Sequence, residues 1–160
     1  MSNPAKNRAR AVDMVRAVAI HEAGHAVIMT RAAMKIERIS INRKAIMSGV
    51  GNQGMTEAMT TQQTSAGEDA DIAVAGAVAE GIYRNISAFS IVVKLTDGEQ
   101  VVETLTYAGV PKGQHKEAIK QTIAGVEVII TENWSKVEQI ADILMANETI
   151  TGEQIAHIVG

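Results

Sequence analysis

The chain has 160 residues, a length that suits one domain with its own hydrophobic core. It contains no cysteine, which excludes a disulfide framework and a thiolate metal site. Any metal must therefore be held by histidine and carboxylate side chains. The net charge of -3 argues against nucleic acid as a partner, because phosphate binding needs clustered Lys and Arg.

The apolar residues are mostly Ala, Ile, Val and Met, and aromatic residues make up only 2% of the chain. Small aliphatic side chains favour closely packed helices over a β-sandwich. No segment reaches the roughly 18 to 20 apolar residues of a transmembrane helix, and no signal peptide is apparent. We therefore expect no membrane span and a cytoplasmic location, with residues 1–10 forming a flexible, solvated N-terminus.

The first predicted helix covers residues 12–33, where apolar side chains recur at helical spacing and His21 and His25 fall on the same stripe. Residues 36–42 then alternate β-branched and polar side chains, which predicts a short, half-buried strand. The polar, glycine-rich segment 48–64 predicts a loop that contains one edge strand.

Ser65 to Glu68 fit a capping box and open a second helix that runs to Tyr83. This helix is apolar on all sides, so it should be buried. Residues 87–94 are compatible with either a strand or a helix. Thr96 to Glu99 form another capping-box pattern, which opens a helix that runs to Tyr107.

Residues 109–113 interrupt the chain with glycine and proline, and a long helix is predicted over 114–146. Thr151 has the pattern of a cap for a short final helix through Ile158. Together the elements predict a single domain over residues 1–160. Its fold class is mainly α, with a small β-sheet or hairpin after the helix that carries His21 and His25.

Residues 21–25 read His-Glu-Ala-Gly-His. Residues four apart share one face of a helix, so His21 and His25 can offer two imidazole nitrogens to one metal. Glu22 lies close enough to act as the base for a metal-activated water, as in zinc metalloproteases. Gly24 costs the helix about 1 kcal/mol relative to Ala, which indicates that another element approaches closely there.

A catalytic zinc ion usually takes a third protein ligand. His115 and His157 are predicted to be solvated rather than metal-bound. Glu80 is a carboxylate within an otherwise apolar helix, so it could be a ligand or could bond the outer nitrogen of a ligating histidine. Asp97 is the other candidate, and its position at a helix start is also compatible with capping. The residue pattern does not separate Glu80 from Asp97.

These segments resemble, in order, the zinc-peptidase domain of the FtsH family of ATP-dependent proteases. The matching stretches are Ala19–Ala26 (Ala-Ile-His-Glu-Ala-Gly-His-Ala), Ile36–Ile41, Ala75–Glu80 (Ala-Gly-Ala-Val-Ala-Glu), Thr96–Glu99 and Glu148–Ile155. The resemblance implies a mainly helical peptidase fold with His21, His25 and Asp97 as zinc ligands and Glu22 as the base. It also implies that Glu80 does not bind the metal itself but hydrogen-bonds a residue that does.

The chain departs from the family in two respects. It has neither the transmembrane helices nor the ATPase module, and Val93–Asp97 replaces the family's Gly-Ala-Ser-Asn-Asp. We therefore expect a zinc endopeptidase that acts on peptides or unfolded proteins, bound along a strand edge near Ser48–Asn52. The resemblance also implies a homo-oligomer or a partner ATPase. The alternative is a peptidase-like binding or regulatory module that holds metal but cleaves little.

Overall fold

The computed structural model describes residues 3–58, 63–94 and 96–160, with only the backbone described for Thr96. Mainly helical, it carries one three-stranded antiparallel sheet, which confirms the predicted fold class. The helices are α1 (Pro4–Arg31), α2 (Arg43–Ser48), α3 (Ala66–Arg84), α4 (Ala88–Val92), α5 (Thr96–Tyr107), α6 (His115–Glu132), α7 (Trp134–Asn147) and α8 (Gly152–Val159). The strands are β1 (Ile36–Ile41), β2 (Gly54–Ala58) and β3 (Thr149–Thr151).

Helix α1 runs through the centre of the fold and packs against α3, α7 and the sheet. It begins at Pro4, well before the predicted start at residue 12, because the side chain of Asn3 caps it and proline suits the first helical turn. Residues 3–10 are helical or capping but exposed on all sides. The buried part of α1 begins at Val15 and includes the histidine motif.

The sheet has the order β2-β1-β3, so β2 is an outer strand. Ile39 in the centre of β1 pairs with Thr56 on one side and with Ile150 on the other. Strand β2 confirms the edge strand that was predicted within residues 48–64. Residues 59–62 of that predicted segment lie outside the described part of the chain.

The strand edge expected near Ser48–Asn52 is not formed by these residues. Ser48 ends helix α2, which was not predicted, and Gly49 stops this helix in the left-handed conformation at φ 69°. The chain forms a strand only from Gly54, so the strand edge in this region is that of β2.

Helix α3 starts as predicted, with reciprocal capping-box bonds between Ser65 and Glu68. It packs on α1 at Gly24, where an added Cβ would lie 2.6 Å from Ala79 Cβ and 2.7 Å from the carbonyl oxygen of Ala75. The close approach expected at Gly24 is therefore confirmed. Because both helices carry small residues here, their backbones lie close enough for α3 to contribute to the site.

Residues 88–92, left open between strand and helix, form helix α4. Helix α5 runs to Tyr107 as predicted, while the expected capping bond of the Thr96 side chain lies outside the described residues. The single long helix predicted over 114–146 is wrong, because Asn133 leaves the helical conformation and separates α6 from α7. Thr151 caps α8 as expected.

None of the helices in the described ranges combines the length and apolarity needed to cross a lipid bilayer.

Candidate metal centre

His21 and His25 lie one turn apart on the face of α1 that packs against α3. The Nδ1–H of His25 donates to the carbonyl oxygen of Ile72 on α3 at 2.9 Å. The Nδ1–H of His21 donates to Glu80 Oε2 at 3.1 Å. Both partners can only accept at these atoms, so they place the ring proton of each neutral imidazole on Nδ1. The Nε2 atoms of both rings face away from these partners and towards one another.

Asp97, in the first turn of α5, completes a group of three donor atoms that could hold a metal ion. Asp97 Oδ2 lies 3.0 Å from His21 Nε2 and 3.3 Å from His25 Nε2, and the two Nε2 atoms are 3.2 Å apart. Ligands at the bond lengths of tetrahedral zinc, roughly 2.0 to 2.1 Å, are separated by about 3.3 Å. The three donors therefore already have the spacing of three corners of a zinc tetrahedron.

Glu80 and Asp97, which the residue pattern could not separate, contact opposite sides of His21. Glu80 binds Nδ1, the nitrogen that faces away from the donor group, whereas Asp97 contacts Nε2. Arg84, one turn further along α3, donates to Glu80 Oε1 at 2.8 Å and balances its charge. The geometry thus distinguishes a carboxylate within the donor group from one that orients an imidazole.

Gly76 on α3 provides the space for the donor group. A Cβ at this position would lie 2.4 Å from His21 Nε2 and 2.5 Å from His25 Nε2, closer than any real contact allows. A side chain at residue 76 would therefore occupy the volume next to both donor nitrogens. The sequence singles out Gly76 only as part of the Ala75–Glu80 stretch that resembles the FtsH family, because its position beside the histidines depends on a helix pairing that local sequence does not show.

The charges around the two imidazoles favour a cation. Burial by itself lowers the pKa of His21, but hydrogen bonds with Asp97 and Glu80, together with the charge of Glu22, outweigh burial and raise it to about 10. Burial raises the pKa of Asp97, yet its hydrogen bonds with His21 and His25 hold that pKa well below its usual value. A proton and a metal ion compete for the same nitrogen, so metal affinity should increase with pH.

Glu22 faces β2 rather than α3. The hydroxyl of Thr56 donates to Glu22 Oε2 at 3.0 Å, and an added Cβ at Gly54 would lie 2.6 Å from Glu22 Oε1. His21 and Asp97 keep 14% and 18% of their side-chain surface exposed. The donor group is therefore half-buried where α1, α3 and α5 meet.

The two remaining histidines lie outside the donor group. His157 is exposed, as expected, whereas His115 is half-buried and its Nε2 lies 2.8 Å from the carbonyl oxygen of Val110. His115 thus contacts the backbone of the loop that precedes α6 rather than being fully solvated.

Neither the known family models nor the curated proteins include a match to this sequence. The resemblance to the FtsH peptidase domain rests on the motifs quoted above and stays a prediction.

Proposed function

We propose that this chain is a zinc-dependent endopeptidase that hydrolyses peptide bonds in peptides or unfolded proteins. The observation that carries the proposal is the triangle of His21 Nε2, His25 Nε2 and Asp97 Oδ2, with sides of 3.0–3.3 Å, next to a carboxylate on the same helix. Two nitrogens and one oxygen suit several divalent metals. Zinc is proposed because a His-Glu-x-x-His helix is typical of zinc peptidases.

Each residue of the site has a role in the proposed reaction. His21, His25 and Asp97 hold the metal, and Glu80 and the Ile72 carbonyl orient the two imidazoles. When bound, zinc supplies a Lewis acid that polarises a carbonyl and acidifies water. Glu22 accepts the proton of the attacking water and delivers it to the leaving amide nitrogen.

The outer edge of β2 is the proposed binding surface for the substrate. An extended peptide can pair with the backbone of an outer strand, which gives affinity with little dependence on side chains. Glu22 contacts the same strand at Gly54 and Thr56, so a peptide on this edge would pass close to the base. Backbone recognition suits substrates that are already unfolded. A cytoplasmic location and a partner ATPase or homo-oligomer stay predictions.

The proposal is tested with the purified chain loaded with zinc and an unfolded protein such as casein. We expect chelator-sensitive cleavage by the wild type and at least a ~100-fold loss in Glu22→Gln, with zinc still bound. Glu37→Gln, which makes the same change at an exposed position of β1, is the matched control.

Cleavage by Glu22→Gln at the wild-type rate would exclude the proposed mechanism. A wild type that holds zinc but does not cleave would instead favour the binding or regulatory module.

A further inference from the structure

Two residues of β2 contact the carboxylate of Glu22 from the same side of the strand. Thr56 donates its hydroxyl hydrogen to Oε2 at 3.0 Å. Gly54, two residues earlier, lies so close that a Cβ would be 2.6 Å from Oε1, 2.9 Å from Cδ and 3.0 Å from Cγ. Residues two apart in a strand face the same way, so β2 presents both contacts to α1, while Met55 between them is exposed.

Thr56 and Gly54 affect the position of the Glu22 carboxylate in two different ways. A glutamate side chain has several rotatable bonds, and a general base works only within hydrogen-bond reach of the proton that it takes. The Thr56 hydroxyl occupies Oε2 and leaves Oε1 for other partners. The missing side chain at residue 54 leaves the space in which Oε1 lies. Hydrogen bonding therefore fixes the orientation, and the glycine permits the position.

We infer that Thr56 and Gly54 are positioning residues for Glu22, and that the strand which binds peptide also orients the base. This inference rests on the proposed peptidase function. It assigns a role to residues outside the metal-binding helices, because neither side chain belongs to the donor group of His21, His25 and Asp97.

The hydroxyl is tested by comparing Thr56→Val with Thr56→Ser in the zinc-loaded chain. Valine keeps the shape and the strand propensity but removes the donor, so we expect kcat to fall about tenfold while KM and zinc affinity stay at the wild-type level. Serine keeps the donor and should restore kcat to within about threefold. Thr149→Val in β3, on the far side of the sheet from β2, is the matched control.

The space at residue 54 is tested with Gly54→Ala. The atoms that the new methyl group meets belong to the end of the Glu22 side chain, which can rotate away without moving the backbone. We expect the folded protein to keep its zinc and to lose kcat by about 100-fold, because the carboxylate is displaced. Wild-type kcat in both Gly54→Ala and Thr56→Val would overturn the inference.

A second measurement decides the inference even if the wild type does not cleave peptides. The ¹³C signals of the Glu22 side chain, assigned by comparison with Glu22→Gln, report its environment and mobility. Thr56→Val should shift the carboxylate signal and increase the mobility of Cγ, whereas Thr56→Ser should change neither. Unchanged signals in Thr56→Val would refute positioning by Thr56, whatever the activity of the wild type.

Discussion

The two sides of the motif helix hold their functional side chains by different means. On the α3 side, His21 and His25 are fixed by a buried helix pair that supplies a backbone carbonyl, the carboxylate of Glu80 and the open space at Gly76. On the β2 side, Glu22 is held by one hydroxyl and one glycine of an outer strand. The two proposed histidine ligands are thus fixed by the buried contact between α1 and α3, whereas the proposed base depends on the edge of a small sheet. Changes on the first side should affect metal binding and folding together, and changes on the second side should affect catalysis alone.

The largest effect that we expect on the α3 side is in Gly76→Ala. The new methyl group would lie 2.4 Å from His21 Nε2 and 2.5 Å from His25 Nε2, so at least one imidazole must leave the donor group. Zinc affinity, measured by competition with a chromophoric chelator, should fall by at least about 100-fold. Gly125→Ala in α6, where nothing lies within 4 Å of the added Cβ, is the control and should bind zinc normally. Normal zinc binding by Gly76→Ala would show that α3 does not limit the donor group.

A smaller difference should separate the two carboxylates that flank His21. Asp97→Asn removes a charged donor from the group, whereas Glu80→Gln leaves the donors in place and weakens only the bond to Nδ1. We expect Glu80→Gln to lose roughly 10-fold to 100-fold in zinc affinity, as for other residues that orient a ligand, and Asp97→Asn to lose more. A zinc titration in which only Glu80→Gln fails to bind would reverse the assignment of these two residues.

The smallest effect that we expect is on the free energy of unfolding. It is the difference between Gly24→Ala and Gly54→Ala in the metal-free protein. Alanine in a helix gains about 1 kcal/mol over glycine, but overpacking costs about 1–3 kcal/mol. At Gly24 the new methyl group meets the backbone oxygen of Ala75, which cannot rotate away. Overpacking there should cost about 2–3 kcal/mol, the upper part of that range, and leave a net loss of about 1–2 kcal/mol.

At Gly54 the contacted atoms belong to the flexible end of Glu22, so the change should stay within about 0.5 kcal/mol. Urea unfolding with a chelator present measures both variants. Equal destabilisation by the two substitutions would contradict the proposed difference between the two sides of α1.

The elements that were predicted correctly depend on residues close together in the chain. The helical spacing of His21 and His25, the capping box at Ser65 and the helix cap at Thr151 are set within one or two turns. The alternation of β-branched and polar side chains over residues 36–42 was sufficient to predict β1. Asn133, by contrast, breaks a helical pattern that is continuous in apolar spacing, because the two segments pack on different partners: α6 mainly on α3, and α7 mainly on α1.

Local sequence was sufficient to place two imidazoles and a carboxylate on one helix, and to indicate at Gly24 that another element comes close. It was not sufficient to choose between Glu80 and Asp97, because each reaches His21 from a different helix and binds a different ring nitrogen. The packing of α1 and α5 on α3 placed Glu80 at Nδ1 and Asp97 at Nε2, and it put Gly76 beside both donor nitrogens. The pairing of β1 with β2 brought Thr56 to Glu22, across 34 residues of sequence. These contacts join residues far apart in the chain, so only the tertiary structure could decide them.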